Sequence, residues 1–307
     1  MDFYTNLDKA MRFDPGHRGL LENAPVNPID KLESTLKQAS GVVLLTGFPV
    51  RLGLHNFAGE TDGPLGTANL AYAFETVGVP VSVWTDEEAY WIVNAALTER
   101  GCKCRPLMLP KYEVEEFMAE QLDALKPSHV ITIERPGKAM DGHYHNMRGG
   151  VIDPMFVDAS SVIESAKSRG IVTISIGDGG NEMGMGALRE TIEKYVPHGE
   201  NICAQEVADI ALVSGVSNWW GWGVSAVLSR IHAQNLLPED ATEVAMLRKM
   251  LAAGSVDGCT KKSEETVDNL TMDVHLGVLA SFLTESGSYI LNGLKFLHSH
   301  FLYHHHR

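Results

Sequence analysis

The sequence predicts an α/β fold of three layers, in which helices cover both faces of a mostly parallel central sheet. Short apolar runs rich in β-branched residues alternate with longer segments of helical periodicity, which is the pattern of repeated βαβ units. Several of these runs are apolar throughout, as expected of strands buried on both faces. A chain of 307 residues can bury a large core, and α/β sheets of this size often form one unit. We therefore expect a single domain over residues 1–307.

Six segments are predicted as strands of this sheet: 42–48, 80–85, 103–109, 129–134, 171–176 and 210–213. Helix signals lie between them, because Pro64 suits a first turn, Asp86 can cap a helix and Pro238 marks another start. Helical spacing predicts one buried stripe at Val114, Phe117, Met118, Leu122 and Leu125. It predicts a second at Val224, Val227, Leu228 and Ile231.

Composition excludes some functions and suggests a compartment. The formal net charge of -14 opposes binding to phosphate backbones, so no nucleic-acid partner is expected. Residues 1–17 lack the apolar core of a secretory signal, and charged residues interrupt the apolar run 276–296, which predicts a packed helix and no membrane partner. The low cysteine count of four fits a reducing compartment, either the cytoplasm or, in a eukaryote, the mitochondrial matrix.

Residues 135–157 are predicted to form an irregular insertion, because glycines, prolines and polar residues punctuate the segment. Long loops in compact domains are usually functional, so we expect a lid or a subunit contact, the latter in a homo-oligomer. His143, His145, Asn146 and Arg148 make this insertion polar, but a lone His-x-His is a weak metal signal. Contact with substrate, or a role in a mobile loop, is favoured over metal binding.

The sharpest motif is the glycine-rich segment 177–184, which directly follows the predicted strand 171–176. Ligands of open α/β sheets bind outside the carboxyl ends of the strands, so Asp178, Asn181 and Glu182 should face a crevice. Their carboxylate and amide oxygens suit a hard cation such as Mg²⁺ or Mn²⁺. The alternative is a glycine-rich turn in which Asn181 caps the next helix.

A second motif, residues 60–67, follows the first strand. The backbone N–H groups near Gly63 and Gly66 open the helix that starts at Pro64, where they could hold a carboxylate or phosphate. Glu60 and Asp62 could instead face a metal, or Asp62 could simply cap the helix. The segment matches neither common nucleotide-binding glycine motif.

Two further strand ends carry polar residues. Glu134 and Arg135 end the fourth strand, where Arg135 is either a carboxylate grip or part of a surface ion pair. Ser217 and Asn218 follow the sixth strand and could reach a ligand. The tryptophans at 219, 220 and 222 are more typical of packing or interface anchors.

These motifs taken together resemble the D-glutamate cyclase family over residues 29–294, and the residues that carry the resemblance are Thr46-Gly47-Phe48, Glu60-Thr61-Asp62-Gly63-Pro64-Leu65-Gly66, Glu134-Arg135 and Gly177-Asp178-Gly179-Gly180-Asn181-Glu182-Met183-Gly184. The resemblance implies conversion of D-glutamate, a small amino-acid substrate, to 5-oxo-D-proline and water. That reaction needs a neutralised γ-carboxylate, an acid/base group and a folded substrate.

Roles are assigned on this basis as hypotheses. The expected ligands of a divalent cation, Mn²⁺ or Mg²⁺, are Glu60, Asp62, Asp178 and Glu182. The expected catalytic residues are Glu134, as acid/base, with Asp178 and Glu182. The expected substrate-binding residues are Arg135, Gly63, Gly66, Asn181, Ser217 and Asn218.

Two alternatives stay open at this point. A metal-dependent phosphatase or other hydrolase would use the same carboxylates to activate water. A non-catalytic module would keep the pocket and bind a small ligand without turning it over.

Overall fold

A computed structural model describes residues 2–282 of the chain. The strands are β1 (Val42–Thr46), β2 (Pro49–Arg51), β3 (Phe57–Gly59), β4 (Val81–Thr85), β5 (Pro106–Met108), β6 (His129–Ile133), β7 (Val172–Gly177), β8 (Ile210–Val213), β9 (Thr266–Val267) and β10 (Leu270–Thr271). The helices are α1 (Phe3–Met11), α2 (Leu20–Asn23), α3 (Ile29–Leu36), α4 (Pro64–Thr76), α5 (Glu87–Arg100), α6 (Val114–Leu125), α7 (Val162–Ser168), α8 (Arg189–Tyr195), α9 (Gly199–Ile202), α10 (Trp219–His232) and α11 (Asp240–Ala252). Residues 272–282 are also helical.

The central sheet has six parallel strands in the order β5-β4-β1-β6-β7-β8. From β1 the chain moves outward through β4 and β5, then crosses to β6 and continues outward in the other direction. The direction of winding therefore changes between β1 and β6. In open α/β sheets this switch point forms a crevice at the carboxyl ends of the strands, which is where ligands bind.

Helices pack on both faces of this sheet, as the sequence predicts. One face is covered mainly by α4, α5, α10 and α11, and the other by α6 and α7. Close approach of α4 and α10 depends on glycine, because a Cβ at Gly221 would lie 2.5 Å from Cα of Gly66. This tight crossing fixes the start of α4 relative to the start of α10, and both starts border the crevice.

The six sheet strands form where the sequence predicts them; four are shorter than predicted, β7 is shifted by one residue and β8 has the predicted bounds. The strand predicted at 103–109 covers only Pro106–Met108, and the one predicted at 129–134 stops at Ile133. The predicted stripe of α6 is only partly buried, since Leu125 remains 47% exposed. Asp86 stands at the start of α5 as predicted, but its side chain does not cap the helix and instead pairs with Arg135.

The insertion at 135–157 is ordered by its own contacts. Short antiparallel bridges join Lys138 to Tyr144 and His145 to Val151, and a 3₁₀ turn follows at Asp153–Met155. An apolar cluster that includes Phe48, Tyr144, Ile152 and Met155 anchors it beside β2 and β3. Whether the chain is one domain, and whether the insertion acts as a lid or a subunit contact, stays a prediction.

None of the helices within residues 2–282 combines the length and apolar character needed to cross a bilayer. The packed helix predicted at 276–296 falls partly outside the described residues.

Candidate active site

A pocket of about 350 Å³ opens at the carboxyl edge of the sheet, over the switch point between β1 and β6. Glu60, Glu134 and Asp178 all line it, so the expected convergence of these three strand-end carboxylates is confirmed. Residues of the insertion from Asn146 to Ile152 form another wall. The pocket therefore combines strand ends with the one long irregular segment predicted from the sequence.

Three buried carboxylates form a compact triad. Asp62, Glu134 and Asp178 each offer an oxygen that lies within 4.8 Å of the others. Asp62 follows the antiparallel pair β2–β3, while Glu134 and Asp178 directly follow β6 and β7. Three oxygen ligands at this spacing are chemically suited to a hard divalent cation.

Glu134 is held in an unusual backbone conformation. Its φ of 43° lies in the left-handed region, which is uncommon for a residue with a side chain and often marks a functional position. Its carboxylate accepts a hydrogen bond from the hydroxyl of Ser217 at 2.6 Å. Burial, then the negative charges of Asp178 and Glu182, raise the pKa of Glu134 well above its ordinary value.

Asp178 has one paired and one unpaired carboxylate oxygen. Oδ1 accepts a hydrogen bond from the guanidinium of Arg18, whereas buried Oδ2 has no hydrogen-bond partner among residues 2–282. Burial raises the pKa of Asp178 well above its ordinary value, and the positive charge of Arg18 offsets this only in part. A buried carboxylate oxygen without a donor is costly unless a ligand satisfies it, so this atom fits a cation site.

Asp62 is fixed from the opposite side by backbone donors. Its carboxylate accepts hydrogen bonds from the N–H groups of Gly63 at 2.9 Å, Ser217 at 3.0 Å and Asn218 at 2.8 Å. Burial nevertheless raises the pKa of Asp62 to about 8, with Asp268 adding to the effect. The side chain therefore links the start of α4 to the start of α10, and it presents its carboxylate to the other two members of the triad.

The amino terminus of α4 is already occupied by a protein side chain. Oδ1 of Asn218 accepts from the N–H groups of Gly63 and Gly66, both at 2.8 Å, and its Nδ2 donates to the carbonyl of Thr61 at 3.0 Å. The backbone donors assigned to substrate are thus engaged by Asn218. These contacts favour a positioning role for Gly63, Gly66 and Asn218, and their direct contact with substrate stays a prediction.

Gly63 also makes room for the catalytic candidate. It has a φ of 93°, and a Cβ there would lie 2.9 Å from Cβ of Glu134 and 2.8 Å from Oγ1 of Thr46. Both the conformation and the space require glycine. The glycine at position 63, interpreted from the sequence as part of a ligand-binding motif, is therefore explained by packing.

Glu182 shapes the glycine-rich loop. Its carboxylate accepts three backbone hydrogen bonds, from Asp178 at 2.9 Å and from Gly179 and Gly180 at 2.7 Å each. These donors engage both of its oxygens, which favours a structural role over ligation or catalysis. Asn181 is not the N-cap of the helical turn that follows, which begins after Met185. Its Nδ2 donates to the carbonyl of His145 at 2.8 Å and so ties this loop to the insertion.

Arg135 does not line the pocket. Its side chain is fully buried, forms an ion pair with Asp86 and donates to the carbonyl of Val157. The pair is therefore not the surface ion pair considered from the sequence, and the guanidinium instead fixes the end of the insertion. Its assignment as the substrate grip gains no support from these contacts.

The histidines of the insertion and the tryptophans of α10 are explained by pairing or packing. His143 contacts Asp153, and His145 lies 2.9 Å from Asp141 and 3.1 Å from the carbonyl of Gly149. The tryptophans of α10 are buried, and their ring nitrogens donate to His275, the Val213 carbonyl and Glu243. They are packing anchors, as the sequence favoured.

Three pocket residues that contact one another were not singled out from the sequence: Arg18, Cys259 and Asp268. Arg18 comes from the segment between α1 and α2, and the other two come from the segment after α11. None lies in a motif or follows a predicted sheet strand, so the sequence held no local signal for them.

A comparison with known protein families matches most of the chain. The family model described as "D-glutamate cyclase-like, C-terminal" matches residues 7–283. The chain belongs to this family. The triad, Ser217 and the three missed pocket residues all fall within the matched range.

A curated relative has a corresponding name. The chain is 28% identical over 312 residues to the human protein named "D-glutamate cyclase, mitochondrial". The match covers 96% of this chain but only 49% of the human protein, so the chain spans about half the length of that relative. The family model and the human relative thus each match most of the chain.

Proposed function

We propose that the chain is a D-glutamate cyclase, a lyase that converts D-glutamate to 5-oxo-D-proline and water with the help of a divalent cation. The observation that carries the proposal is the buried triad of Asp62, Glu134 and Asp178 in a chain of this family. The name of the human relative supports the choice of substrate. The volume of the pocket, about 350 Å³, suits a small amino acid.

The proton balance of the reaction defines what the site must do. The α-ammonium group carries three protons and the lactam nitrogen keeps one, so two protons leave the nitrogen. The γ-carboxylate loses one oxygen as water, which takes up both protons. Cyclisation is therefore a net transfer of two protons from nitrogen to oxygen within one molecule, and an acid/base group between them can carry both.

Glu134 suits this shuttle. Burial and the neighbouring carboxylates raise its pKa and so favour the protonated carboxyl, which can donate to the leaving oxygen. Ser217 donates to Glu134 and so stabilises the ionised form that must accept the proton from nitrogen. A single carboxyl with a fixed hydroxyl partner thus supports both halves of the transfer.

Asp62 and Asp178 would hold the cation beside Glu134, which stays the acid/base group, and Glu60 lies in the same pocket as a further oxygen ligand. A divalent cation bound there would neutralise the γ-carboxylate and make its carbon a better electrophile. Glu182 contributes by fixing the backbone at Asp178 through the hydrogen bonds described above. The pocket wall from the insertion would keep bulk water from the folded substrate.

Chiral chromatography tests the proposal. Purified protein is incubated with D-glutamate or L-glutamate, with Mn²⁺ or with a chelator, and the products are separated. We expect 5-oxo-D-proline from D-glutamate, more of it with Mn²⁺, and little product from the L-enantiomer. Absence of oxoproline under every condition would refute the proposal.

A pair of variants ties the activity to the site. Glu134→Gln should abolish product formation because Gln cannot carry the proton. Glu206→Gln is the matched control, since Glu206 is also a buried carboxylate with a pKa raised to about 7 by burial, but it does not line the pocket. Equal loss in both variants would indicate a general effect on the fold.

A further inference from the structure

The pocket has opposite charges at its two ends. Its inner end, the acidic floor, carries the buried carboxylates Glu60, Glu134 and Asp178. Its outer end, the basic rim, carries the more exposed cations Arg51, Arg148 and Lys261. A dicarboxylate that also carries an ammonium group matches this polarity, with its amine toward the floor and an anionic end toward cations.

Arg18 lies between the floor and the rim. Its side chain is only 20% exposed, Nη1 donates to Asp178, and Nη2 lies 2.9 Å from Oδ2 of Asp268 and 3.9 Å from Sγ of Cys259. The guanidinium is thus fixed by two carboxylates from different segments. Arg148 and Lys261, by contrast, are exposed.

The backbone that carries Arg18 is also fixed. Gly19 has a φ of 87°, and a Cβ there would collide with the backbone carbonyl of Tyr195. On the other side, the N–H of His17 donates to Asp14 at 2.9 Å. These contacts fix the backbone on both sides of Arg18, whose side chain lines the pocket.

We propose that Arg18 binds the α-carboxylate of the dicarboxylate substrate and so determines the specificity of the site. The proposal rests on the proposed function. A guanidinium has five N–H donors in a planar fork that matches a carboxylate. Asp178, Asp268 and Cys259 account for three contacts, so donors remain for a ligand.

The reaction itself requires this division of roles. The γ-carboxylate, which loses an oxygen, would lie at the triad, where a cation held by Asp62 and Asp178 would neutralise it. The α-carboxylate takes no part in bond making, so it needs a separate cation that holds it in one place. Arg18 contacts the triad through Asp178 and can hold that group within reach of Glu134. The folded substrate would then span Arg18 and the triad.

The test uses glutarate, which has both carboxylates of glutamate but no amine and cannot cyclise. Its dissociation constant is measured by calorimetry in the presence of Mn²⁺ for the wild type, Arg18→Gln, Arg18→Lys and Arg248→Gln. Arg248 is the matched control because it forms an exposed ion pair with Glu265. Binding of Mn²⁺ alone and the KM for D-glutamate are measured on the same preparations.

We expect Arg18→Gln to weaken glutarate binding and to raise KM by about tenfold or more, because charge-assisted hydrogen bonds are lost. Arg18→Lys should restore only part of the affinity, since an ammonium lacks the planar fork. Arg248→Gln should bind as the wild type does, and all variants should still bind Mn²⁺.

Unchanged or tighter glutarate binding by Arg18→Gln would overturn the inference and leave Arg18 as an internal partner of Asp178. Failure of the wild type to bind glutarate would overturn it as well. Binding of glutarate that depends on Arg18, without oxoproline formation from D-glutamate, would support the inference while refuting the proposed function.

Discussion

Replacing Asp178 with asparagine separates catalysis from folding. The change keeps the shape of the side chain but removes the charge proposed to hold the cation. We expect turnover of D-glutamate to fall by at least about a hundredfold, the loss typical when a group that stabilises transition-state charge is removed. The fold should survive, because the same substitution relieves repulsion inside the triad.

The size of that relief follows from the spacing of the triad. At 4.8 Å and an effective dielectric constant of 20, two like charges repel by about 3 kcal/mol. Removing the charge of Asp178 therefore relieves repulsion from ionised Asp62 or Glu134, but it also loses the attraction to Arg18, which contacts Asp178 directly. Because the pKa of Asp178 is raised in spite of Arg18, the neutral side chain should be tolerated at least as well.

The assay measures oxoproline formation in the presence of Mn²⁺ and the melting temperature without added metal, both on the same preparation. The net change in stability should be within about 1 kcal/mol, which corresponds to a shift of about 2–4 °C or less. Wild-type turnover in the variant would remove Asp178 from the mechanism. A large drop in melting temperature would show that Asp178 is a structural anchor and that the repulsion argument is wrong.

Three further predictions test other parts of the site and core. Ser217→Ala should lower kcat and shift the kinetic pKa of Glu134 upward, because the donated hydrogen bond favours the ionised form; an unchanged pH profile would exclude this role. Gly63→Ala should lower the free energy of unfolding in urea by about 2 kcal/mol or more, and by more than Gly78→Ala, which has a similar positive φ but open space around it; equal losses would mean that crowding at Glu134 is unimportant. Burial raises the pKa of Glu243 to about 7 from an ordinary 4.5, so the folded state keeps this proton to higher pH and the free energy of unfolding should fall as pH rises from about 4.5 to about 7. Glu243→Gln should flatten that fall, which amounts to up to about 3.5 kcal/mol at about 1.4 kcal/mol for each pH unit, and the same dependence of stability on pH in the variant and the wild type would contradict it.

The sheet and the acidic residues could be predicted because their signals are local. Each sheet strand is a short, mostly apolar run, and Glu134 and Asp178 directly follow two of them. The carboxyl ends of parallel strands meet at one edge, so the meeting of Glu60, Glu134 and Asp178 follows from the strand assignments alone.

What could not be predicted depends on long-range pairing. Arg18 and Asp178 are 160 residues apart, and the N–H of Gly63 meets Asn218 across 155 residues. Arg135 looked suited to a ligand because it stands at a strand end, yet its partner Asp86 lies 49 positions earlier and turns it into the interior. Position along a strand thus identifies the edge of the sheet, but not which of the side chains there face the pocket.

Anomalous scattering from crystals soaked in Mn²⁺ tests most directly whether the buried triad is the cation site. We predict a manganese peak between Asp62, Glu134 and Asp178, with oxygen ligands. A second acidic group, Asp14, His17 and Glu22, also brings three possible ligand atoms together, but it is more exposed. Manganese at that group, or no bound manganese in a protein whose turnover of D-glutamate requires it, would contradict the account.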